Sequence, residues 1–351
     1  MGHGHFDRLG ILLFNNDKEI LQDYGAARFL NVESKSGGRY LDENKTWAQT
    51  SVAHNTVIVD EKSNFNGDWK ESEKQAPQTI FTDIATPEKI QIASALEVNA
   101  YPGVEMQRTV ALIGADTPFI IDVYSLKSKE SHKYDLNFMF SGHIMETDFK
   151  YDASLTSLSP LGKSNGYQHL WKLAEANANQ GLSKFTWLND SRFYTISTMT
   201  EASDKLVMTR LGANDPNFNL RNESGYMVRA NDKKNYTFVS VIEPHGSFDP
   251  KLESVQDPHS KVETIQILKQ DENYTAVLVT FKNKKTYTLA FSNKEVKAIA
   301  DSLIALAIKE KDNFDEVEVK VSKAKVDSKG NKETELKKKK NGKEFLKVVK
   351  E

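Results

Sequence analysis

Short runs of β-branched and aromatic residues, separated by turn-forming pairs, recur along most of the chain. HNTVIVDE (54–61), KIQIASALEV (89–98), MQRTVALIG (106–114) and FIIDVYSL (119–126) read as strands. So do YDLNFMFSGHI (134–144), FYTISTMT (193–200), KLVMTRLG (205–212) and YTFVSVIEP (236–244). VETIQILKQ (262–270), YTAVLVTF (274–281) and KTYTLAFS (285–292) continue the series. Asn-Asp, Pro-Gly, Asn-Gly and Gly-Ala-Asp punctuate them. This spacing predicts an all-β fold, an antiparallel β-sandwich of jelly-roll type with two stacked sheets, rather than alternating β and α units. Residues 151–190 are less regular, with SLTSLSPLGKSNG read as a loop, and no internal repeat is visible.

The pattern changes near the end, which divides the chain into a sandwich over 1–298 and a tail over 299–351. In the tail aromatic residues almost vanish and lysine becomes frequent, closing on ELKKKKNGKEFLKVVKE. AIADSLIALAIKEK (298–311) has the apolar spacing of a helix, and DEVEVKVSKAKV (315–326) alternates like an edge strand. The expectation is a solvated appendage, partly helical or disordered.

A chain of 351 residues is long enough to bury a full core. Its formal charge of −2 gives no reason to expect a nucleic-acid partner, so an anionic ligand has to be held by a few local cations. There is no cysteine, which excludes disulfides and thiolate metal sites and leaves His, Asp and Glu as metal ligands. The N-terminus lacks the basic-then-apolar pattern of a signal peptide, and no run of about 18 apolar residues predicts a membrane span.

The opening, MGHGHFDRLG, sets His3, His5 and Asp7 in the alternation that puts side chains on one face of a strand. A purification tag would explain two early histidines, but the continuation FDRLGILLFNNDKEILQDYG already resembles folded sequence. EILQDYGAARF and SVAHNTVIVDE each place a potential ligand, Asp23 and His54, in an apolar strand-like setting. Such a residue needs a partner when buried, and a hydrogen-bonded core residue satisfies that need as well as a metal does. His5, Asp23 and His54 are too far apart in sequence for a local chelate motif.

Taken together and in order, GHGHFDRL, EILQDYGAARF, GGRYLDENKTWAQTSVAHNTVIVDE and VIEPHG resemble the C-terminal half of heparinase II/III-type polysaccharide lyases. Within that group the similarity is closest to the oligoalginate lyases of polysaccharide lyase family 17. It is dense over residues 1–66, looser through QRTVALI and FIIDVYSLKSKESHKYDLNFMFSGH, and fades after about 295. The resemblance implies an antiparallel β-sandwich that, in the family, follows an N-terminal (α/α) toroid, with the catalytic cleft between the two. It makes His5, Asp23 and His54 ligands of a structural zinc, and His3, Arg28 and Tyr40 residues lining the cleft. It further implies an anionic oligosaccharide substrate, most closely alginate oligomers, and a periplasmic or cell-envelope location. A homodimer is compatible with it.

The implied chemistry asks for residues of these types. Cleaving a uronate polymer by β-elimination removes the C5 proton, α to a carboxylate, and protonates the departing glycosidic oxygen. Arg28 or a protonated His3 would neutralise the carboxylate by charge-assisted hydrogen bonds. Tyr40 would give its phenolic proton to the leaving oxygen as general acid. In the family the base is a second tyrosine, assisted by Asn and His, and these belong to the toroid. No such helical half is expected here, because strands begin almost at once. A catalytically inactive, zinc-stabilised carbohydrate-binding or structural sandwich is the competing reading. A zinc hydrolase fits less well, since no Glu base stands beside the ligands in a recognisable motif.

Other residues carry weaker signals. His132 and His143 read as packing or rim hydrogen-bonding residues, and His245 as a turn residue. Of Trp47, Trp69, Trp171 and Trp187, Trp69 in the polar loop NFNGDWKESE is the least core-like and the best placed to stack on a sugar.

Overall fold

The computed structural model describes residues 4–24, 30, 40–86, 90–114, 117–212 and 219–294, with the backbone of four further strands, Ile304–Ala305, Val321–Val326, Lys332–Lys340 and Lys343–Val349. Two compact units result, residues 1–78 with 95–260 and residues 79–94 with 261–351. The expected boundary between 298 and 299 lies outside the described residues. The observed division at 260/261 arises because the strands after it form sheets of their own.

The first unit is a sandwich of two sheets. One runs in spatial order Leu13–Asn15, Lys18–Leu21, His132–Phe140, Ser224–Lys233, Lys205–Leu211, Leu170–Asn177 and Asp152–Ala153, and Val57–Val59 also pairs with His132–Phe140. The other holds the second half of Ile90–Tyr101, then Val104–Ile113, Phe119–Ser128, Tyr236–His245, Arg192–Thr198, Ser183–Asn189 and His143–Thr147. From Val104–Ile113 to His143–Thr147 each pairing is antiparallel, as are those of the first sheet.

Alternation explains how the sheets join. Tyr134, Leu136, Phe138 and Phe140 take every second position of one strand and enter a single core with Phe185, Trp187, Tyr226, Phe238 and Ile242. Phe185 of one sheet stacks on Tyr226 of the other at 4.3 Å between ring centroids, and Phe140 meets it edge-on at 5.3 Å. Burying each such ring stabilises the fold by about 1.5–3 kcal/mol relative to its exposure.

The alternate positions of the first sheet are also buried. Met139, Val207 and Met227 pack in a second cluster with Tyr24, Trp47, Ala48, Val52 and Ala53. The strand His132–Phe140 is therefore covered on both faces, which accounts for its unbroken burial from Tyr134 to Phe140, with Asp135 and Asn137 buried among the apolar residues. Segment 41–56 lies over the outer face of this sheet and carries part of the candidate site.

In the second unit Val262–Gln270, Tyr274–Phe281 and Thr286–Ser292 form a three-stranded antiparallel sheet. In the tail, Val321–Val326 is a strand within the stretch whose alternation suggested one. The tail's four described strands make an antiparallel sheet, and Ile304–Ala305 is strand inside the stretch whose spacing suggested a helix. The remainder of 298–311 lies outside the described residues.

Every strand expected from the periodicity within 54–292 is present. The sequence reading passed over Gln78–Thr86, Leu170–Asn177, Ser183–Asn189 and Ser224–Lys233. Two of these follow the loop-like stretch 154–166, where Ser, Pro and Gly obscured the return to alternation. Among the described residues no helix is long and apolar enough to cross a membrane.

Candidate metal centre and catalytic face

Two strands share one edge of His132–Phe140. Val57–Val59 pairs with Leu136, Asp135 and Tyr134, while Leu21 pairs with Phe140. Both run antiparallel to that strand, so the end of Lys18–Leu21 and the start of Val57–Val59 approach each other head-on. Gln22 N–H donates to Met139 O at 3.0 Å, and Asn137 N–H donates to Thr56 O at 3.1 Å, continuing the ladder up to the break. Asp23 and His54 emerge where the ladder is interrupted. That is why two residues so distant in sequence come together.

His5 is brought in from a third segment. A 3₁₀ turn, Ser51–Ala53, precedes His54, and Ser51 Oγ donates to Phe6 O at 2.5 Å while Phe6 N–H donates to Gln49 O at 2.9 Å. These bonds set the His5 and His54 rings 5.1 Å apart between centroids. His5, Asp23 and His54 each offer one ligand atom, and the three atoms lie within 4.8 Å of one another. His54 Nδ1 is in contact with Asp23 Oδ1. His54 is buried, and among the described residues its Nε2 has no hydrogen-bond partner.

An orphaned imidazole nitrogen in a buried site is costly, and two imidazoles with a carboxylate are the donor types zinc takes when no thiolate exists. The three residues thus fit the structural zinc that the sequence resemblance implies. A fourth donor would complete a tetrahedral shell.

Tyr40 stands four residues before the short π-helical turn Asn44–Ala48 and is 79% exposed. Its phenol is open to solvent and is not part of the core. His3 and Arg28, the other two expected cleft residues, lie outside the described residues.

The weaker candidates separate clearly. His132 Nδ1 bonds Asp60 Oδ2 at 2.8 Å and its Nε2 bonds Ser128 Oγ at 3.1 Å, a rim role. Burial works against the Asp60 charge, but the His132 bond and the Lys133 N–H outweigh it and hold Asp60 below the usual carboxylate range. His245 is buried between Thr195 Oγ1 and Asp257 O, as suits a structural residue. His143 is exposed on a sheet edge. Trp47 and Trp187 are wholly buried and cannot stack on sugar, Trp171 is half-buried, and Trp69 is 51% exposed.

Sequence reasoning missed Arg108 and Asp122, which form a bidentate pair, Nε to Oδ1 at 2.9 Å and Nη2 to Oδ2 at 2.6 Å, with both side chains buried. The available signal was a charged residue in each of two otherwise apolar strands, QRTVALI and FIIDVYSL.

Comparison with known proteins gives the family. A family model described as heparinase II/III-like, C-terminal, matches residues 1–240. The chain belongs to that family. The heparinase II/III-like chain is 44% identical over 268 residues to an alginate lyase of Stenotrophomonas maltophilia, covering 76% of this chain and 36% of the relative. It is 39% identical over 298 residues to an exo-oligoalginate lyase of Saccharophagus degradans, covering 83% of this chain and 40% of the relative. The chain therefore spans two fifths or less of the length of these relatives. A stretch of 75 residues, 21% of the chain, is 56% identical to the large ribosomal subunit protein bL17 of Acetivibrio thermocellus, of which it covers 43%. Among solved structures, a heparan sulfate lyase of Pedobacter heparinus superposes with a TM-score of 0.53 at 12% identity, over 83% of this chain and 37% of that one. At that identity the likeness bears on the fold, and it is the sandwich described above.

Proposed function

We propose that this heparinase II/III-like chain is the β-sandwich part of a polysaccharide lyase that cleaves uronate-containing glycans, alginate oligomers in the first place, by β-elimination. The single observation that carries the reading is the 44% identity to an alginate lyase over a stretch that includes three-quarters of the chain. Exposure of Tyr40 supports it, because a general acid has to reach its substrate.

In this reading a base on the partner toroid half removes the C5 proton. The C4–O4 bond breaks as the C4–C5 double bond forms, and Tyr40 gives its phenolic proton to O4. Arg28 and His3 neutralise the uronate carboxylate, so that the developing enolate does not carry two full charges. His5, Asp23 and His54 would hold zinc, whose contribution is to cross-link three segments of the sandwich; no proton moves through it. A periplasmic or cell-envelope setting, where such glycans are met, belongs to the same proposal.

Mixing the chain with a separately produced toroid half and alginate oligomers tests this. Appearance of the ultraviolet absorbance of a C4–C5 unsaturated uronate supports the reading. A complex that binds oligomers without forming that product would instead identify a carbohydrate-binding sandwich.

A further inference from the structure

The break in the sheet edge is closed by one side chain. Asn55, next to His54 and 1% exposed, has its amide where backbone would otherwise continue the ladder. Its Oδ1 accepts Met139 N–H at 2.7 Å. Its Nδ2 donates to Gln22 O and to Ile11 O, both at 2.9 Å. Gln22 precedes Asp23, and Ile11 lies in the segment that carries His5, so an amide from the His54 stretch ties it to the other two ligand-bearing stretches.

A second element backs the first. Arg108 Nη1 donates to Asn55 O at 2.6 Å and to Leu9 O at 2.7 Å, joining the His54 and His5 segments once more. The guanidinium is fixed for this by Asp122. A buried ion pair is a weak source of stability compared with apolar packing, so its presence calls for another use. Here the pair orients N–H groups toward Leu9 O and toward Asn55 O, which also accepts the Ile11 N–H at 3.2 Å. Thr56 Oγ1 adds a bond to Arg8 O at 2.6 Å from the same short stretch.

We infer that Asn55, backed by Arg108 and Asp122, is the positioning residue of the metal centre: it converts three distant segments into one preformed ligand set. This rests on the zinc reading of His5, Asp23 and His54. Supporting partners of this kind typically govern metal affinity by about tenfold to a hundredfold. Coupling is reciprocal, so bound zinc must in turn stabilise the bonds that Asn55 makes.

The test uses the full chain and zinc alone. Zinc affinity is measured by chelator competition for the unaltered protein and for Asn55→Ala, alongside the unfolding midpoint of each metal-free form. The expected result is a loss of affinity of about tenfold or more in folded Asn55→Ala. A residue that merely stabilised the fold would lower the midpoint and leave the affinity of the folded protein unchanged. Because the variant can fail to fold, amide exchange of the unaltered chain is followed with and without zinc. The Met139 N–H, held by Asn55 Oδ1, and the Ile11 N–H, which donates to Asn55 O, should exchange more slowly when zinc is bound. Zinc binding that leaves both amides unchanged, or equal affinity in Asn55→Ala, overturns the positioning role alone. An unaltered chain that binds no zinc overturns the metal reading and this inference with it.

Discussion

His54 and Asp23, 31 residues apart in the chain, touch through Nδ1 and Oδ1 at the point where one sheet edge is interrupted. The contact is made by topology rather than by a local motif. Two strands share the same edge of His132–Phe140, and the two residues sit at their facing ends.

Zinc should be present at one ion per chain, and His54→Ala should lower zinc content and thermal stability together. Imidazoles must be neutral to coordinate, so binding zinc displaces protons, and the stability derived from zinc weakens as the pH falls into the acid range. Elemental analysis with unfolding curves across that range checks both statements. Retention of full zinc by His54→Ala would remove this residue from the site.

Removing one partner of the buried Arg108–Asp122 pair leaves an uncompensated charge. Asp122→Ala should therefore destabilise the protein by about 3–5 kcal/mol, read from urea unfolding. A cost below about 1 kcal/mol would show that solvent reaches the guanidinium.

Most of the sandwich was legible because its strands carry their pattern locally. YTFVSVIEP and FIIDVYSL announce themselves by β-branched density alone, and a strand buried on one face or both keeps that signature. Leu170–Asn177 was not legible, since LWKLAEAN mixes the alternation with helix-favouring Ala and Glu, and pairing with Lys205–Leu211 decides its conformation. The candidate metal site of His5, Asp23 and His54 was visible only through resemblance. Their convergence depends on which strands share an edge, and no spacing rule encodes that. Asn55 and Arg108 were hidden for a related reason: their importance lies in backbone carbonyls of other segments, which sequence does not display.

The tryptophans divide by burial. Trp187→Ala empties a fully packed position and should cost about 3–5 kcal/mol. Trp69→Ala should stay within about 0.5 kcal/mol of the unaltered protein. If Trp69 stacks on sugar, its indole fluorescence should shift on adding alginate oligomers, and the variant should bind them more weakly. Identical oligomer affinity would assign Trp69 to the surface alone.

Burial raises the Asp204 carboxyl above the usual carboxylate range, and the Tyr236 hydroxyl at 2.5 Å and the Glu201 N–H at 2.8 Å do not fully offset it. Nearby Glu201 raises it further, while Lys233 acts in the opposite sense. With its folded pKa above the unfolded one, Asp204 contributes stability at acid pH that is lost as pH rises through the folded value. Asp204→Asn does not titrate, so its melting temperature relative to the unaltered protein should improve between about pH 4 and about pH 7. A difference that does not vary with pH would contradict the shift.

The most direct measurement compares Tyr40→Phe with the unaltered chain, each reconstituted with the toroid half, by the rate of unsaturated uronate formation at saturating alginate oligomer. Tyr40 is exposed and outside the core, so the substitution should leave zinc content and melting temperature unchanged. Turnover should fall by about 10²–10⁴, the contribution of a positioned general acid. Full activity in Tyr40→Phe would contradict the account.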